Sequence, residues 1–577
     1  MTKFILVDNS IIDSSGHHYQ YAVHCLIAAR DLGYEPILAI NKNNNMAKVP
    51  WKVFGVYSST FWMYDKYEPV IMKLYHKLEK INSKILNFVI LGGFGYFLIK
   101  KLLDKKKIAE FAKDTQELIK QIDLENGDII FLPTSGLVEM FGILRCAKMN
   151  PSCKKASWHF LFRRSMHTGH PDKDTSNLKL ELMRKVFQIF HKKSILQTHF
   201  YTDSIQLTQQ YEKLGVRFDT LPIPHTISKS ELKKSSSSIN VTYLGDARTE
   251  KGYHHLPHIV QDLWHDYVLS EKISFTIQSY FNLAEGEPKT IVSFHELQNF
   301  PSDKVKLILN PLDQEEYQNL LIDSDVVLLP YDQVNYYART SGILAESLGC
   351  GIPVIVPAGT WLSRQFIKEV YQYQRSLREK FLRKSHDMKL RYEESAQQNS
   401  INDELVLNRK KSMVHTSFEI DDQDSHVLVT LFFEENSMSP VMIDIIQMTS
   451  DDLIIASNSN LVEKSDLTYA TVISPIKNHV KKIMLKFRNT RSEKIVLKAS
   501  VDTLHCSQKN VPLSSIGIIY DNPEEISQKL ANIIDNYDHY LKTAKEFSLA
   551  YLEEQNAKSL VQKIANNTKT VVSEFDK

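Results

Sequence analysis

A strand, a helix and a second strand follow one another within the first forty residues of the chain. The segments 3–7 and 36–40 are short and apolar, as expected for strands, and 17–32 between them has the periodicity of an amphipathic helix. A turn at 8–16 connects the first strand to the helix. Because such a pattern builds a parallel sheet covered by helices, it predicts a doubly wound α/β domain, which we place at 1–227.

The same pattern begins a second time after a polar connector. The connector, 228–238, lacks apolar periodicity and ends in four consecutive serines, a composition typical of a flexible hinge. A strand at 239–244 and a glycine-containing turn at 245–252 then open a second α/β unit. We predict a second Rossmann-like domain formed by 239–364 and 513–557, with a cleft between the two similar halves.

The segment that interrupts the second unit has a different character. Residues 365–411 are strongly charged and are predicted to be helical, and 412–512 then shows short stretches in which apolar and polar residues alternate. Near its end, Ile495 and Leu497 alternate with polar positions such as Lys498, which is the period of a half-buried strand. About seven such strands without helices predict a β-sandwich-like insertion in the second α/β domain.

The length and the charge balance exclude several classes of protein. A chain of 577 residues exceeds the roughly 250 to 300 residues at which a single core stops growing, so it divides into domains. Its 70 basic and 68 acidic residues leave a net charge of +2, too weak a field to attract nucleic acid. The scattered cysteines lack metal-binding spacing, which favours a reducing compartment and argues against structural zinc. They are Cys25, Cys146, Cys153, Cys350 and Cys506.

Two segments bear on the location of the protein. The N-terminus reaches Asp8 after four apolar residues, too few for the apolar region of a signal peptide, so we expect a cytoplasmic location. The apolar run within 85–107 is followed by several lysines and is shorter than the roughly 20 residues that span a membrane. Two alternatives stay open for it: peripheral contact with the inner face of the membrane, or burial in the first domain.

The second α/β unit contains the strongest functional motif. An apolar strand at 324–331 leads through a loop to a helix that begins at Ser341 and Gly342. The first amides of a helix are unpaired and glycine lets an anion approach them, so a phosphate or diphosphate fits there. Glu346, one turn into the helix, can accept hydrogen bonds from ribose hydroxyls. The alternative for Glu346 is a surface carboxylate favoured by the helix dipole.

This stretch resembles the donor-binding segment of the group 1, family 4-type retaining glycosyltransferases, which have the GT-B fold. That family carries two glutamates with seven residues between them, and the second one holds the nucleotide ribose. Glu346 matches the second glutamate, whereas Ala338 stands at the position of the first. The resemblance therefore leaves Arg339, Thr340 and Ser341 to make the donor-sugar contacts of the first glutamate.

The turn at 245–252 resembles a second segment of the same family, written G-R-x-x-x-E-K-G, whose basic residues neutralise the donor diphosphate. Gly245 and Lys251 align with it. Asp246 stands where the arginine usually follows the first glycine, and an arginine appears instead as Arg248. The resemblance implies that Lys251, with Arg248 second, contacts the phosphates and contributes to catalysis. The alternative for Lys251 is a solvated side chain in a turn.

The end of the first predicted turn carries Gly16, His17 and His18. This segment resembles the glycine turn that opens the first helix of GT-B enzymes and faces the cleft. The resemblance places Gly16 near the donor and the two histidines on the acceptor side. A simple helix start, capped by a preceding serine, is the alternative.

Further candidates lie in the predicted strand near residue 156 and just after it. The segment that includes His159 is similar to a family strand whose histidine meets the reacting sugar. Arg163 and Arg164, just beyond it, are candidates to meet an anionic acceptor. A histidine satisfied in the core is the alternative for His159.

The resemblance implies transfer of a sugar from a nucleoside diphosphate sugar to a carbohydrate, glycolipid or glycoprotein acceptor, with retention at the anomeric carbon. It implies that neither a metal ion nor a cofactor is needed. It also implies that a C-terminal helix at 558–577 packs back on the first domain. Other functions stay open: an epimerase or phosphorylase of the same fold, or a catalytically weak sugar-binding or scaffold protein. The inserted β domain could support oligomerisation, bind glycan or extend the acceptor platform.

Overall fold

The computed structural model describes most of the chain. Two segments noted in the sequence fall largely outside the described residues, namely 85–104 of the apolar run and 228–237 of the connector. No helix within the described stretches is long and apolar enough to cross a membrane. The described residues are 1–14, 16–46, 48–61, 105–166, 177–224, 238–281, 287–392, 404–407, 413–434, 440–490, 494–506 and 511–575.

The first part of the chain forms a parallel sheet. Its strands are β1 (Lys3–Asp8), β2 (Glu35–Asn41), β3 (Lys52–Tyr57), β4 (Ile129–Leu132), β5 (Ser157–Phe162), β6 (Gln197–Thr202) and β7 (Asp219–Thr220). They lie in the order β3-β2-β1-β4-β5-β6-β7. The chain therefore moves outward from β1 in both directions, as in a doubly wound sheet.

Helices cover both faces of this sheet. In β1, Ile5 and Val7 belong to one apolar core, and Phe4 and Leu6 belong to the core on the opposite face. Burial of both faces explains why this strand is a continuous apolar run rather than an alternating one. The helices of this unit are α1 (Gly16–Asp31), α2 (Lys105–Gln121), α3 (Leu137–Met149), α4 (Asn177–Lys193) and α5 (Ile205–Glu212).

A second parallel sheet follows. Its first strands are β8 (Ile239–Tyr243), β9 (Ile273–Gln278), β10 (Val305–Ile308), β11 (Val326–Leu328) and β12 (Val354–Pro357). They lie in the order β10-β9-β8-β11-β12, again outward from the first strand of the unit. The helices of this stretch are α6 (Leu256–Asp262), α7 (Pro288–Leu297), α8 (Gln314–Ile322), α9 (Gly342–Gly349) and α10 (Trp361–Arg364).

The charged segment predicted to be helical over 365–411 is helical only in its first part. Helix α11 (Ile367–Lys380) is followed directly by the strand β13 (Leu382–His386). The prediction was wrong at 382–386, where β13 is an edge strand whose side chains are mostly exposed and polar, and 393–403 and 408–411 lie outside the described residues. Charged residues protect such edges from pairing with other chains, so the composition resembles that of a solvated helix.

Two antiparallel sheets form the insertion. Its remaining strands are β14 (Arg391–Tyr392), β15 (Glu404–Leu407), β16 (Met413–Glu419), β17 (His426–Phe433), β18 (Pro440–Met448), β19 (Ile454–Glu463), β20 (Tyr469–Pro475), β21 (Lys482–Asn489) and β22 (Ile495–His505). One sheet has the order β13-β22-β17-β20, with β15 also beside β22, and the other has the order β14-β16-β21-β18-β19. Val429 and Ile443, from different sheets, share one core, so the insertion is sandwich-like.

The chain then returns to both α/β units. The strand β23 (Gly517–Tyr520) pairs in parallel with β12, and α12 (Ile526–Asp535) and α13 (Tyr537–Glu554) follow it. Helix α14 (Ala557–Phe575) packs beside α1, where Leu560 shares the core of the first sheet. Two Rossmann-like units, a sandwich-like insertion and a returning C-terminal helix confirm the predicted GT-B fold class.

Candidate functional site

The two α/β units meet at the carboxyl ends of their parallel strands. Asp203 and Ser204 follow β6, and the loop between β11 and α9 (329–341, here called the cleft loop) approaches them. Ser204 Oγ donates to the carbonyl oxygen of Ala338 at 2.7 Å. Thr340 Oγ1 donates to Asp203 Oδ2 at 2.9 Å. Ligands of open α/β sheets bind at this edge, so the cleft between the units is the candidate site.

Two glycines shape the turn after β8 (245–252, here called the glycine turn). Gly245 has φ +105° and Gly252 has φ +71°, values in the left-handed region that favours glycine. A Cβ atom on Gly252 would collide with the carbonyl oxygen of Pro330. A Cβ atom on Gly245 would collide with the Nζ of Lys251. The turn therefore lies directly against the cleft loop, and the Lys251 ammonium covers Gly245.

Lys251 is a cation in a partly buried position. Burial lowers its pKa to about 8, although the carboxylate of Asp246 opposes the shift, and the Arg248 cation adds to the lowering. In the described part of the chain, Lys251 Nζ makes no ion pair. An anion bound beside Lys251 would stabilise the charged form and raise its pKa again.

Two arginines beside Lys251 share one carboxylate. Arg248 Nη1 lies 2.9 Å and Arg339 Nη1 lies 3.1 Å from the same Oε1 of Glu250. Arg248 Nη2 also lies 3.5 Å from Asp246 Oδ2. The three cations Lys251, Arg248 and Arg339 lie together here, among the carboxylates of Asp246, Glu250 and Glu287. Among the described residues, no group of three or more His, Cys, Asp or Glu side chains is placed to hold a metal ion.

The amino end of α9 lies next to the glycine turn. Ser341 caps the helix, since its Oγ accepts from the amide of Leu344 at 3.3 Å. Gly342 is the exposed first residue, and the first amides of a helix have no partner within it. A Cβ atom on Gly245 would lie 3.1 Å from Cδ1 of Ile343, which shows how closely the two elements approach. The predicted anion site thus combines helix amides with Lys251.

Glu346 is partly buried on α9 and is fixed by α8. The hydroxyl of Tyr317 donates to Glu346 Oε2. Burial raises the pKa of Glu346 to about 7, and the hydrogen bond from Tyr317 opposes that rise. The tyrosine thereby orients the carboxyl group, whose other oxygen can accept a further hydrogen bond. The geometry is compatible with the ribose contact expected from the sequence.

The first turn of the chain contributes a buried carboxylate. Gly16 begins α1 with φ +75°. His18 Nδ1 lies 2.7 Å from Oδ2 of Asp8, the last residue of β1. Burial alone would raise the pKa of Asp8, but His18 and the Ser10 amide hold it below its usual range. The side chain of His17 lies outside the described part of the structure.

Arg163 and Arg164 follow β5 and contact different aromatic rings. The Arg163 guanidinium lies 4.3 Å from the ring centroid of Tyr21, and its Nε lies 3.7 Å from Asp203 Oδ2. The Arg164 guanidinium lies 4.8 Å from the ring centroid of Phe61. Arg163 therefore stands beside the aspartate that holds the cleft loop, on the side of the site formed by the first domain.

His159 is fully buried beneath α14, and the prediction that it meets the reacting sugar is wrong. Its Nδ1 lies 3.0 Å from the Tyr201 hydroxyl, and its Nε2 lies 2.9 Å from Ser157 Oγ and 3.1 Å from Thr568 Oγ1. The ring stacks on His199 with centroids 4.6 Å apart. Burial lowers the pKa of His159 well below its usual range, so the ring is neutral. It is a satisfied core residue because α14 covers its face of the sheet.

Glu139 is a candidate that the sequence did not single out. It is fully buried in the first turn of α3, where Oε2 accepts from the Gly136 amide at 2.9 Å and Oε1 has no hydrogen-bond partner among the described residues. Burial raises its pKa to about 7, and the charges of Arg164 and Asp8 also act on it. The signal in the sequence is an acidic residue in the first turn of an otherwise apolar helix.

The chain matches no protein-family model and no curated protein sequence. It resembles solved structures over 64% of its length. These include the catalytic domain of starch synthase IV from Arabidopsis thaliana (11% identity, 85% of that chain, TM-score 0.39) and an α,α-trehalose-phosphate synthase from Burkholderia xenovorans (9%, 87%, 0.40). The N-terminal domain of a Candida albicans trehalose-6-phosphate phosphatase is a third (12%, 85%, 0.39). These identities and TM-scores are too low to indicate an activity or a substrate for this chain. The strand order defines a protein of the GT-B fold.

Proposed function

We propose that the protein is a glycosyltransferase that moves a sugar from a nucleoside diphosphate sugar to a carbohydrate acceptor. The observation that carries the proposal is the convergence of Lys251, the glycine turn and the amino end of α9 at one point of the interdomain cleft. Helix amides, with a cation that makes no ion pair to the residues that the structure describes, form a site for a diphosphate. A cleft between two domains can also hold a donor and an acceptor together and exclude water.

The diphosphate would bind between Lys251 Nζ and the first amides of α9. Negative charge develops on this group as its bond to the sugar breaks, and fixed positive groups stabilise that charge in the transition state. Arg248 and Arg339 are held by Glu250 and add to the positive potential. These cations can supply the stabilisation that a metal ion gives in other enzymes, so we propose a metal-independent reaction. Retention at the anomeric carbon is proposed from the resemblance of the sequence to the retaining glycosyltransferases.

Glu346 would hold the ribose of the donor. Its Oε2 accepts from Tyr317, and its other oxygen is available to a ribose hydroxyl. A hydrogen bond from a ribose hydroxyl to the carboxylate would favour its charged form and so lower the pKa of Glu346 from its value of about 7. Thr340 and Ser341 lie between Arg339 and α9, next to the place that the donor sugar would occupy.

The acceptor would bind on the first domain. There the pair of Asp8 and His18, the cation Arg163 and the buried carboxyl of Glu139 lie near the carboxyl ends of the strands. Such a set suits a polyhydroxylated molecule, and Arg163 suits an acidic group on it. The acceptor classes proposed are a glycan, a glycolipid and a glycoprotein. A cytoplasmic location, membrane contact through 85–107 and oligomerisation through the insertion stay predictions.

A catalytically weak sugar-binding protein is the second candidate function. Ala338 is buried, and its carbonyl oxygen accepts from Ser204, so no carboxylate reaches the donor sugar from this position. Both candidate functions predict nucleotide binding, but only the glycosyltransferase predicts efficient turnover. Turnover therefore decides between them.

Nucleotide binding is tested by thermal shift with UDP, GDP, ADP and their sugars. We expect one base to raise the melting temperature of the wild-type protein. A ligand at 100 times its dissociation constant adds about 2.7 kcal/mol, which corresponds to roughly 5–10 °C for a domain of this size class. The shift should be lost in Glu346→Ala and kept in Glu296→Ala, which removes an exposed carboxylate from α7 of the same domain. No shift with any nucleotide would contradict the proposal.

A further inference from the structure

The inserted β domain contacts the second α/β domain through a buried ion pair. Glu463 ends β19, and Arg364 ends α10. Arg364 Nη2 donates to Glu463 Oε1 at 2.6 Å, and Arg364 Nε donates to the same oxygen at 3.2 Å. Both side chains are largely buried, at 15% and 10% exposure. A buried pair of this kind is weak evidence for stability but fixes the geometry of the groups that it joins.

The same arginine reaches the cleft loop. Arg364 Nη1 donates to the carbonyl oxygen of Tyr337 at 2.7 Å, and its guanidinium lies 4.6 Å from the centroid of that ring. The amide of Trp361, in the same short helix, donates to the carbonyl oxygen of Tyr336 at 2.9 Å. The Arg364 side chain thus joins the insertion to Tyr337, two residues before Arg339, a cation of the candidate site.

A second contact holds β19 in place. Asp521 Oδ1 accepts from the amide of Leu461 at 2.6 Å, and the carbonyl oxygen of Asp521 accepts from Gln333 Nε2 at 3.0 Å. Tyr371 Oη donates to the carbonyl oxygen of Glu463 at 3.1 Å. The strand that carries Glu463 is therefore anchored on both sides, and the anchor again includes a residue of the cleft loop.

The opposite side of the cleft loop contacts the first domain. There Ser204 donates to the carbonyl oxygen of Ala338, and Thr340 donates to Asp203. Within 336–341, the carbonyl oxygens of Tyr336 and Tyr337 accept from α10, which carries the insertion's partner Arg364. The next residues, Ala338 and Thr340, contact the first domain. A change in the position of the insertion would therefore change the positions of the loop residues that face the cleft.

We infer that Glu463 and Arg364 are positioning residues for the donor site. Through them the inserted β domain sets the conformation of the cleft loop, and so the places of Arg339 and of the amino end of α9. The ion pair provides this control because the Arg364 side chain bonds both to the insertion and to the loop backbone. Only the identity of the ligand rests on the proposed glycosyltransferase function, since the structural coupling is independent of it.

The test is amide hydrogen exchange of the full chain, comparing wild type with Glu463→Gln and Arg364→Lys. Lysine keeps the charge but lacks the planar fork that reaches two partners. We expect the amides of 336–341 to exchange about tenfold faster in both variants, while β11 and β17 keep their protection. The matched control is Arg488→Ala, which breaks the pair of Arg488 and Asp444 inside the sandwich. It should leave exchange of the loop unchanged.

A second readout measures affinity for the nucleoside diphosphate that shifts the wild-type melting temperature. We expect Arg364→Lys to weaken binding about tenfold and Arg488→Ala to leave it unchanged. If the wild type binds no nucleotide, the proposed function fails while the exchange experiment still tests the coupling. Unchanged exchange of 336–341 in both ion-pair variants would overturn the inference, as would an equal increase in Arg488→Ala.

Discussion

Replacing Lys251 by alanine is expected to lower turnover by about 100- to 1,000-fold without unfolding the protein. The ammonium lies over Gly245 beside the amino end of α9, where the diphosphate would carry its developing charge. Removing one fixed positive group from such a site costs about 2.7–4 kcal/mol of transition-state stabilisation. The measurement is the initial rate of nucleoside diphosphate release at saturating donor, together with the melting temperature without ligand.

The pKa of Lys251 provides a second test of its role. Since burial lowers that pKa to about 8, the cation is lost as the pH rises through this value. Affinity of the wild-type protein for the nucleoside diphosphate should therefore fall between pH 7 and pH 9, and Lys251→Ala should show a smaller fall. Lys306→Ala, an exposed lysine on β10, is the control and should behave as wild type. Full turnover in Lys251→Ala would contradict the assignment.

Gly252→Ala is expected to produce a large loss of stability. Gly252 has φ +71°, where an L-residue costs roughly 1–2 kcal/mol. A Cβ atom there would also collide with the carbonyl oxygen of Pro330, and overpacking adds about 1–3 kcal/mol. The free energy of unfolding should therefore fall by about 2–5 kcal/mol, measured from the shift of the denaturation curve.

Gly33→Ala separates the two causes. Gly33 also has a positive φ, +87°, but a Cβ atom on it would meet none of the described residues within 4 Å. Its substitution should cost only the conformational part, roughly 1–2 kcal/mol. Equal losses in the two variants would show that the glycine turn does not press against the cleft loop.

Much of the fold could be predicted because periodicity is local. The apolar run of β1, the helix after it and the repeat of this pattern at β8 define two parallel sheets without knowledge of any distant contact. The two segments of the candidate donor site were identified by resemblance to a glycosyltransferase family, and the sheet explains why they meet. Gly245 and Ser341 are far apart in the chain, but they follow β8 and β11, which are neighbours in the sheet.

The predictions that failed depend on contacts between residues far apart in the chain, which a local sequence pattern does not reveal. His159 lies in an apolar strand, and only the return of α14, with Thr568, decides that its face of the sheet is closed. Asp203 was missed for the same reason, since its partner Thr340 belongs to the other domain. Glu139 was not singled out although it is the one acidic residue in the first turn of a mostly apolar helix.

The most direct test of the central claim is release of nucleoside diphosphate from the sugar donor whose nucleotide stabilises the protein. It is measured with and without a mixture of sugar acceptors, in EDTA to remove metal ions. The account predicts release that requires an acceptor, continues in EDTA and nearly disappears in Lys251→Ala. No release with any acceptor, or conversion of the donor into an altered free sugar without one, would contradict it.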